Sequence, residues 1–273
     1  MTSQDWIPIF RAIAGEVRGA LAPLAGTAEG RAVAGTGAGG DQTVYLDQLA
    51  EQVVVRHLET AYRSGFRFRL ISEELGERDF GGPGLVLCDP LDGSYNAKSG
   101  LPYYAVVLAA TDGDRYRDVV SGYVQNLVTG EEFVARRGAG AWRNGQPFRP
   151  PAPAFDGRTI PLVQFDAPTG VEPRGRALPV FEQAEKVRQL GSAALNLCYT
   201  AAGGISLQVT PAPVRSFDLA APLLVLREVG GVASDFDGAG LDDVCVRLET
   251  RTTLLASRSS DIHRYALALL GRA

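Results

Sequence analysis

Between residues 4 and 24 the apolar positions Ile7, Ile9, Phe10, Ile13, Val17 and Leu21 recur near the helical period, which predicts an amphipathic helix. A Gly-rich loop follows at 34–40. A second helical pattern, carried by Leu49, Val53, Val54, Leu58 and Tyr62, runs from about Asp47 to Ser64. Phe68-Arg69-Leu70-Ile71 and Leu85-Val86-Leu87-Cys88 read as short buried strands, each running into acidic residues. Segments 103–111, 118–125 and 130–135 are rich in Val and aromatics with turn residues between them, the pattern of a meander.

Four prolines (Pro147, Pro150, Pro151, Pro153) then interrupt the pattern and mark the expected boundary between two halves, 1–150 (α+β) and 151–273 (α/β). Beyond it, strand-like 160–165, 205–209 and 252–257 alternate with helical 192–202 and 218–229. No internal repeat is present. The expected class is a mixed α/β fold.

Composition narrows the function. With 45% hydrophobic and 21% charged residues in 273, the chain is expected to pack as a globular protein. No apolar run approaches the length of a membrane span, and the start of the chain lacks a signal-peptide pattern, so a cytoplasmic protein is expected. The net charge of -4, without a Lys/Arg cluster, leaves no nucleic-acid footprint. Cys88, Cys198 and Cys245 form no CxxC pair and read as small buried apolar residues. The two histidines, His57 and His263, lie in helix-like stretches near apolar positions, so carboxylates lead as the chemical groups.

Those carboxylates fall in three places: Glu73-Glu74 after the first short strand, Asp89 and Asp92 after the second, and Asp218 opening a helix. In Asp89-Pro90-Leu91-Asp92-Gly93-Ser94 a Pro-Leu turn is expected to aim both Asp side chains at one point, with the Leu91 carbonyl beside them. Hard cations such as Mg²⁺ take such oxygens, and several carboxylates at one site raise each other's pKa unless a cation is present. A helix starting at Gly93-Ser94 would offer backbone N–H groups to a phosphate. Alone, the hexapeptide reads as an ordinary turn; joined to the Glu pair and Asp218 it reads as a metal and phosphate site.

In order along the chain stand residues 39–47 (Gly-Gly-Asp-Gln-Thr-Val-Tyr-Leu-Asp), 71–76 (Ile-Ser-Glu-Glu-Leu-Gly), 89–96 (Asp-Pro-Leu-Asp-Gly-Ser-Tyr-Asn), 100–106 (Gly-Leu-Pro-Tyr-Tyr-Ala-Val), 138–145 (Gly-Ala-Gly-Ala-Trp-Arg-Asn-Gly), 190–199 (Leu-Gly-Ser-Ala-Ala-Leu-Asn-Leu-Cys-Tyr) and 214–221 (Val-Arg-Ser-Phe-Asp-Leu-Ala-Ala). With these seven motifs, which span most of its length, the chain resembles the inositol monophosphatase / fructose-1,6-bisphosphatase superfamily. It looks most like the archaeal-type enzymes that act on both substrates.

The resemblance implies a layered αβαβα sandwich and a Mg²⁺-dependent phosphate monoesterase using two or three ions. Glu73, Asp89 and the Leu91 carbonyl would hold one ion, and Asp89, Asp92 and Asp218 a second. Glu73 would orient the attacking water, with Asp47 and Ser94 as the family's Asp–Thr pair that helps activate it. Backbone groups of Asp92-Gly93-Ser94 would hold the phosphate, Gly191-Ser192-Ala193 would line the sugar or inositol pocket, and Arg188 and Arg215 would be available to a second phosphate. The implied mechanism is in-line attack by metal-activated water with no phosphoenzyme; the implied partners are a small phosphorylated sugar or polyol and a second copy of the chain, with neither nucleic acid nor membrane.

The resemblance stops short of one contact. The Glu by which inositol-selective members hold inositol hydroxyls has no counterpart in Gln208-Val209-Thr210-Pro211-Ala212-Pro213. Two other signals are set aside. Gly35-Thr36-Gly37-Ala38-Gly39-Gly40 satisfies GxGxxG, but Arg31-Ala32-Val33-Ala34 is a poor preceding strand, and a mobile loop is expected instead of a dinucleotide site. Asp235-Phe236-Asp237-Gly238 lacks the remaining ligands of a calcium loop and reads as a turn. Alternatives that keep the chemistry change the substrate to a nucleotide 3′-phosphate, histidinol phosphate or NADP; the non-enzymatic alternative is a binding or scaffold protein.

Overall fold

A computed structural model describes residues 5–38, 42–167 and 171–271. The apolar stripe of the first helix, α1 (Ile7–Leu21), packs against α2 (Tyr45–Arg63), and both lie on one face of an eight-stranded sheet. That sheet contains β3 (Arg69–Ser72), β4 (Gly76–Asp79), β5 (Leu85–Asp92), β6 (Ala105–Thr111), β7 (Val119–Asn126), β8 (Glu132–Arg136), β9 (Gly140–Arg143) and β10 (Gln146–Pro147). Its spatial order is β10-β9-β8-β7-β6-β5-β3-β4. Because β-strand side chains alternate between faces, Val86 and Cys88 point to the α1/α2 layer while Leu85 and Leu87 point to the opposite one.

On that opposite face lie α5 (Ala193–Ala201) and α6 (Ser216–Glu228). A five-stranded sheet covers them from the other side, in the order β12 (Ala184–Arg188), β11 (Ile160–Phe165), β13 (Leu207–Arg215), β15 (Arg251–Ser257), β14 (Val232–Ser234). A helix pressed between two sheets must be apolar all round, and every α6 residue from Ser216 to Leu226 is buried. On the outer face, α4 (Val171–Phe181) and α7 (Ser260–Leu270) complete a five-layer αβαβα arrangement, the expected fold class. Among the described residues no helix is long and apolar enough to cross a membrane.

The structure corrects several expectations. Asp89-Pro90-Leu91-Asp92 is no turn: β5 continues to Asp92, with a register shift against β6 between Asp89 and Asp92. Pro90 has no N–H for the ladder, so the strand bulges there and pairs again when Asp92 meets Ala105. In the same way β13 runs on to Arg215 past Pro211 and Pro213, with its shift between Thr210 and Val214. Residues 33–36 are β1 (Val33–Thr36), an antiparallel strand paired with β2 (Gln42–Val44), where a loop was expected. Gly39, Gly40 and Asp41 of the first motif lie outside the described residues. The prolines and glycine of α4 (Pro173, Gly175, Pro179) hide a helix that the spacing did not predict. Cys88 and Cys198 are buried as expected, whereas Cys245 is half-exposed. Asp235 does form a turn, its Oδ1 accepting from the N–H groups of Asp237 and Ala239 at 3.0 and 2.7 Å.

Candidate active site

Strand pairing brings the acids together. β3 runs parallel to β5 with Ser72 opposite Cys88, so the residue after β3, Glu73, sits beside Asp89, and its N–H donates to the Cys88 carbonyl at 3.3 Å. Asp218 enters from the opposite layer in the first turn of α6. Pro222, four residues on, lacks the N–H that would bond the Asp218 carbonyl. Asp47 comes from the first turn of α2, where its Oδ2 accepts from the Val44 N–H at 2.9 Å.

A short helix, α3 (Ser94–Ser99), begins directly after Asp92, with Gly93 in left-handed backbone (φ 87°) at its N-cap. A side chain at Gly93 would collide with the Gly191 and Tyr103 carbonyls, about 3 Å from where its Cβ would stand, so the two loops approach this closely only because the residue is glycine. Asn96 bolts these loops together: its Nδ2 donates to the Tyr103 carbonyl at 2.8 Å and the Leu190 carbonyl at 2.7 Å.

One cavity of about 310 Å³ is lined by Glu73, Asp89, Leu91, Asp92 and Asp218, and also by Asp47, Gly93, Ser94 and Arg215. Ser192 and Ala193 stand at its back: Asp92 accepts from the Ser192 hydroxyl, from the Ala193 N–H at 3.2 Å and from the Ala194 N–H at 2.9 Å, so the start of α5 holds this carboxylate. Gly191 packs behind Gly93. Arg188 is not brought in. It is exposed at the end of the edge strand β12, donates to the Val187 carbonyl and does not line the cavity. Asp47 and Ser94 share the cavity without a hydrogen bond between them, since the Asp47 carboxyl caps α2 instead.

The electrostatics are those of carboxyls packed close together and largely withdrawn from solvent. Burial, reinforced by the charge of Glu73, pushes Asp89 and Asp218 well above the usual carboxylate range. Burial lifts Glu73 to about 7 against the opposing charge of Arg215, and Asp47 to about 6 against the Val44 hydrogen bond. Burial also raises Asp92, whose bonds to the start of α5 pull the other way.

A divalent ion fits this donor set. The donors are hard oxygens, and the buried Asp218 Oδ1 has no hydrogen-bond partner. Among the described residues no three His, Cys, Asp or Glu side chains close on one point. Arg215 engages Glu73, and the start of α5 engages Asp92.

Sequence reasoning missed several neighbours. Glu51, one turn after Asp47 on α2, is buried, accepts from the Ser72 hydroxyl at 2.6 Å and is pushed by burial to about 7. Its spacing of four residues from Asp47 was the available signal. Tyr95 and Lys98 line the cavity from α3, and Thr43 donates to Glu74 from β2. Asp166, just past β11, is raised to about 6 by burial and then by the charge of Asp92; no motif pointed to it.

The chain matches the inositol monophosphatase family over residues 8–270. It is 31% identical over 276 residues to a fructose-1,6-bisphosphatase/inositol-1-monophosphatase of Archaeoglobus fulgidus, an alignment covering 99% of this chain and 100% of that protein. It is 33% identical over 208 residues to an inositol-1-monophosphatase of Mesorhizobium japonicum, covering 73% and 74% of the two chains. The fold is shared with the crystal structure of an inositol monophosphatase-fructose 1,6 bisphosphatase, with a TM-score of 0.84 and 24% identity over 97% of this chain and 100% of the other.

Proposed function

The chain belongs to the inositol monophosphatase family, whose enzymes hydrolyse phosphoric monoesters, and on that premise we propose that it is a Mg²⁺-dependent phosphatase of inositol monophosphate, fructose 1,6-bisphosphate or both. The observation that carries the reading is the convergence of Asp89 and Asp92 from β5, Glu73 from the end of β3 and Asp218 from α6 on one cavity at the start of α3.

In this reading Glu73, Asp89, Asp92, Asp218 and the Leu91 carbonyl hold the ions. When bound, Mg²⁺ offsets the repulsion among the carboxylates and supplies positive charge to the attacking and leaving oxygens. The first backbone N–H groups of α3 have no intrahelical partner and, with the Ser94 hydroxyl, bind the phosphate. Glu73 orients the water that attacks phosphorus in line. Asp47 and Ser94 border the water's side of the cavity, and Gly191-Ser192-Ala193 border the alcohol that leaves. The phosphate goes to water directly, without a phosphoenzyme. The absence of an acid from Gln208 to Pro213 leaves the choice between inositol and sugar esters to other contacts.

A substrate panel tests the proposal. With Mg²⁺, kcat/KM for inositol 1-phosphate or fructose 1,6-bisphosphate should exceed that for a nucleotide 3′-phosphate, histidinol phosphate or NADP by roughly tenfold or more, the scale of pocket discrimination. A lead for one of the last three would move the substrate to that class, and release of phosphate from none of the five would overturn the proposal.

A further inference from the structure

We infer that Arg215 is an internal counter-cation, holding Glu73 in the metal-free protein and leaving it when a divalent ion enters, so that this arginine sets the ion affinity of the centre. The inference rests on the metal-dependent reading above and concerns a different property of the same cavity.

Arg215 is the last residue of β13 and the N-cap of α6, three residues before Asp218. The bulge between Thr210 and Val214 precedes it, and its side chain lines the carboxylate cavity. There its Nη1 donates to Glu73 Oε1. The two side chains are only 15% and 14% exposed, so the pair is largely withdrawn from solvent, unlike the surface ion pairs elsewhere on the molecule. The same guanidinium charge pulls the pKa values of Asp92 and Asp218 back down, so its influence extends over the cluster.

A guanidinium cannot make room by losing a proton, because arginine stays charged in proteins. An ion that takes up Glu73 through Oε1, the oxygen that accepts from Arg215, must therefore displace the guanidinium bodily. Cation binding through Oε1 and the Arg215–Glu73 pair thus exclude each other, and the two positive charges repel, which is negative coupling in the thermodynamic sense. The displaced side chain stays tethered at the N-cap of α6, so its charge remains near the cavity that Gly93 and Ser94 also line. Ion loading would in that way prepare the cavity for an anion, and the ion would bind before the substrate.

Calorimetric titration of the purified, metal-stripped protein with Mn²⁺ and Mg²⁺, without substrate, tests this. Removing the competitor in R215Q should tighten the first ion by roughly tenfold, within the usual range of such couplings. R215K keeps a charge but loses the planar fork, and its affinity should fall between the two. An R215Q protein that binds the ion as weakly as the wild type, or more weakly, overturns the inference. Should R215Q fail to fold, the wild type decides: the Nε–H resonance of Arg215, assigned by its loss in R215K, must shift on Mg²⁺ saturation, and an unmoved resonance overturns the inference equally. A wild type that binds neither ion would bring down the metal-dependent function along with it, whereas ion binding untouched by R215Q removes only the role of Arg215.

Discussion

Replacing Asp92 by Asn should lower kcat by roughly 10³-fold or more while moving the thermal midpoint by only about a few degrees. Asp92 stands between the two functions of the cavity. It shares the charge cluster with Asp89 and Asp218, and it accepts from Ser192, Ala193 and Ala194 at the start of α5. The Asn side chain keeps one oxygen for those donors and turns an amide toward the others, which costs about 1–3 kcal/mol. Against this, removal of one buried charge relieves the repulsion among the remaining carboxylates. The two effects oppose each other in stability but not in activity, since a neutral amide supplies no charge to an ion. Steady-state kinetics with a paired thermal melt checks this, and retained turnover in a folded D92N protein would remove Asp92 from the centre.

The second large effect is on stability. The metal-free protein should become less stable as pH rises from about 4 to about 7, and saturating Mg²⁺ at pH 8 should restore the loss. The direction follows from pKa values that burial raises: Asp47 from 3.8 to about 6, Glu51 and Glu73 from 4.5 to about 7. An acid whose folded pKa exceeds its unfolded value binds its proton more tightly when folded. Its neutral form favours the fold below the unfolded pKa, and that advantage is lost as pH climbs through the folded pKa. For a carboxyl moved from 4.5 to about 7 the loss is on the order of 3 kcal/mol. Exposed pairs such as Glu16 with His57 work in the opposite sense and only at lower pH, because their carboxyls are depressed. Denaturant melts from pH 4 to 8, with EDTA and with Mg²⁺, test this; metal-free stability that holds constant or rises across that range would contradict it.

Much of the fold was legible because most elements obey one local rule each. α1 and α2 show their apolar stripes, β5 to β8 their Val-rich runs, and the family motifs occur in order. The misses share a cause: local signals were overruled by tertiary pairing. Pro90 and Pro211 look like strand ends, yet partners on both sides carry β5 and β13 past them as bulges. The prolines of α4 read as breakers, and the helix forms all the same with Ala177 and Val180 packed against the outer face of the small sheet. At the site, residue types at motif positions were enough to bring Glu73, Asp89, Asp92 and Asp218 to one cavity on paper. Arg188 was expected there for a second phosphate because the family resemblance implied it, but β12 is an edge strand and carries it to the surface. The bolt made by Asn96 and the Arg215–Glu73 pair were invisible for the opposite reason, since what they do depends on partners 94 and 142 residues away.

The central claim is that these carboxylates form a cation-dependent centre for phosphate ester hydrolysis. Phosphate release from inositol 1-phosphate and from fructose 1,6-bisphosphate, followed before and after addition of excess EDTA and again after Mg²⁺ is restored, tests it most directly. Activity that disappears with the chelator and returns with Mg²⁺ is the predicted result; full activity in excess EDTA would contradict it.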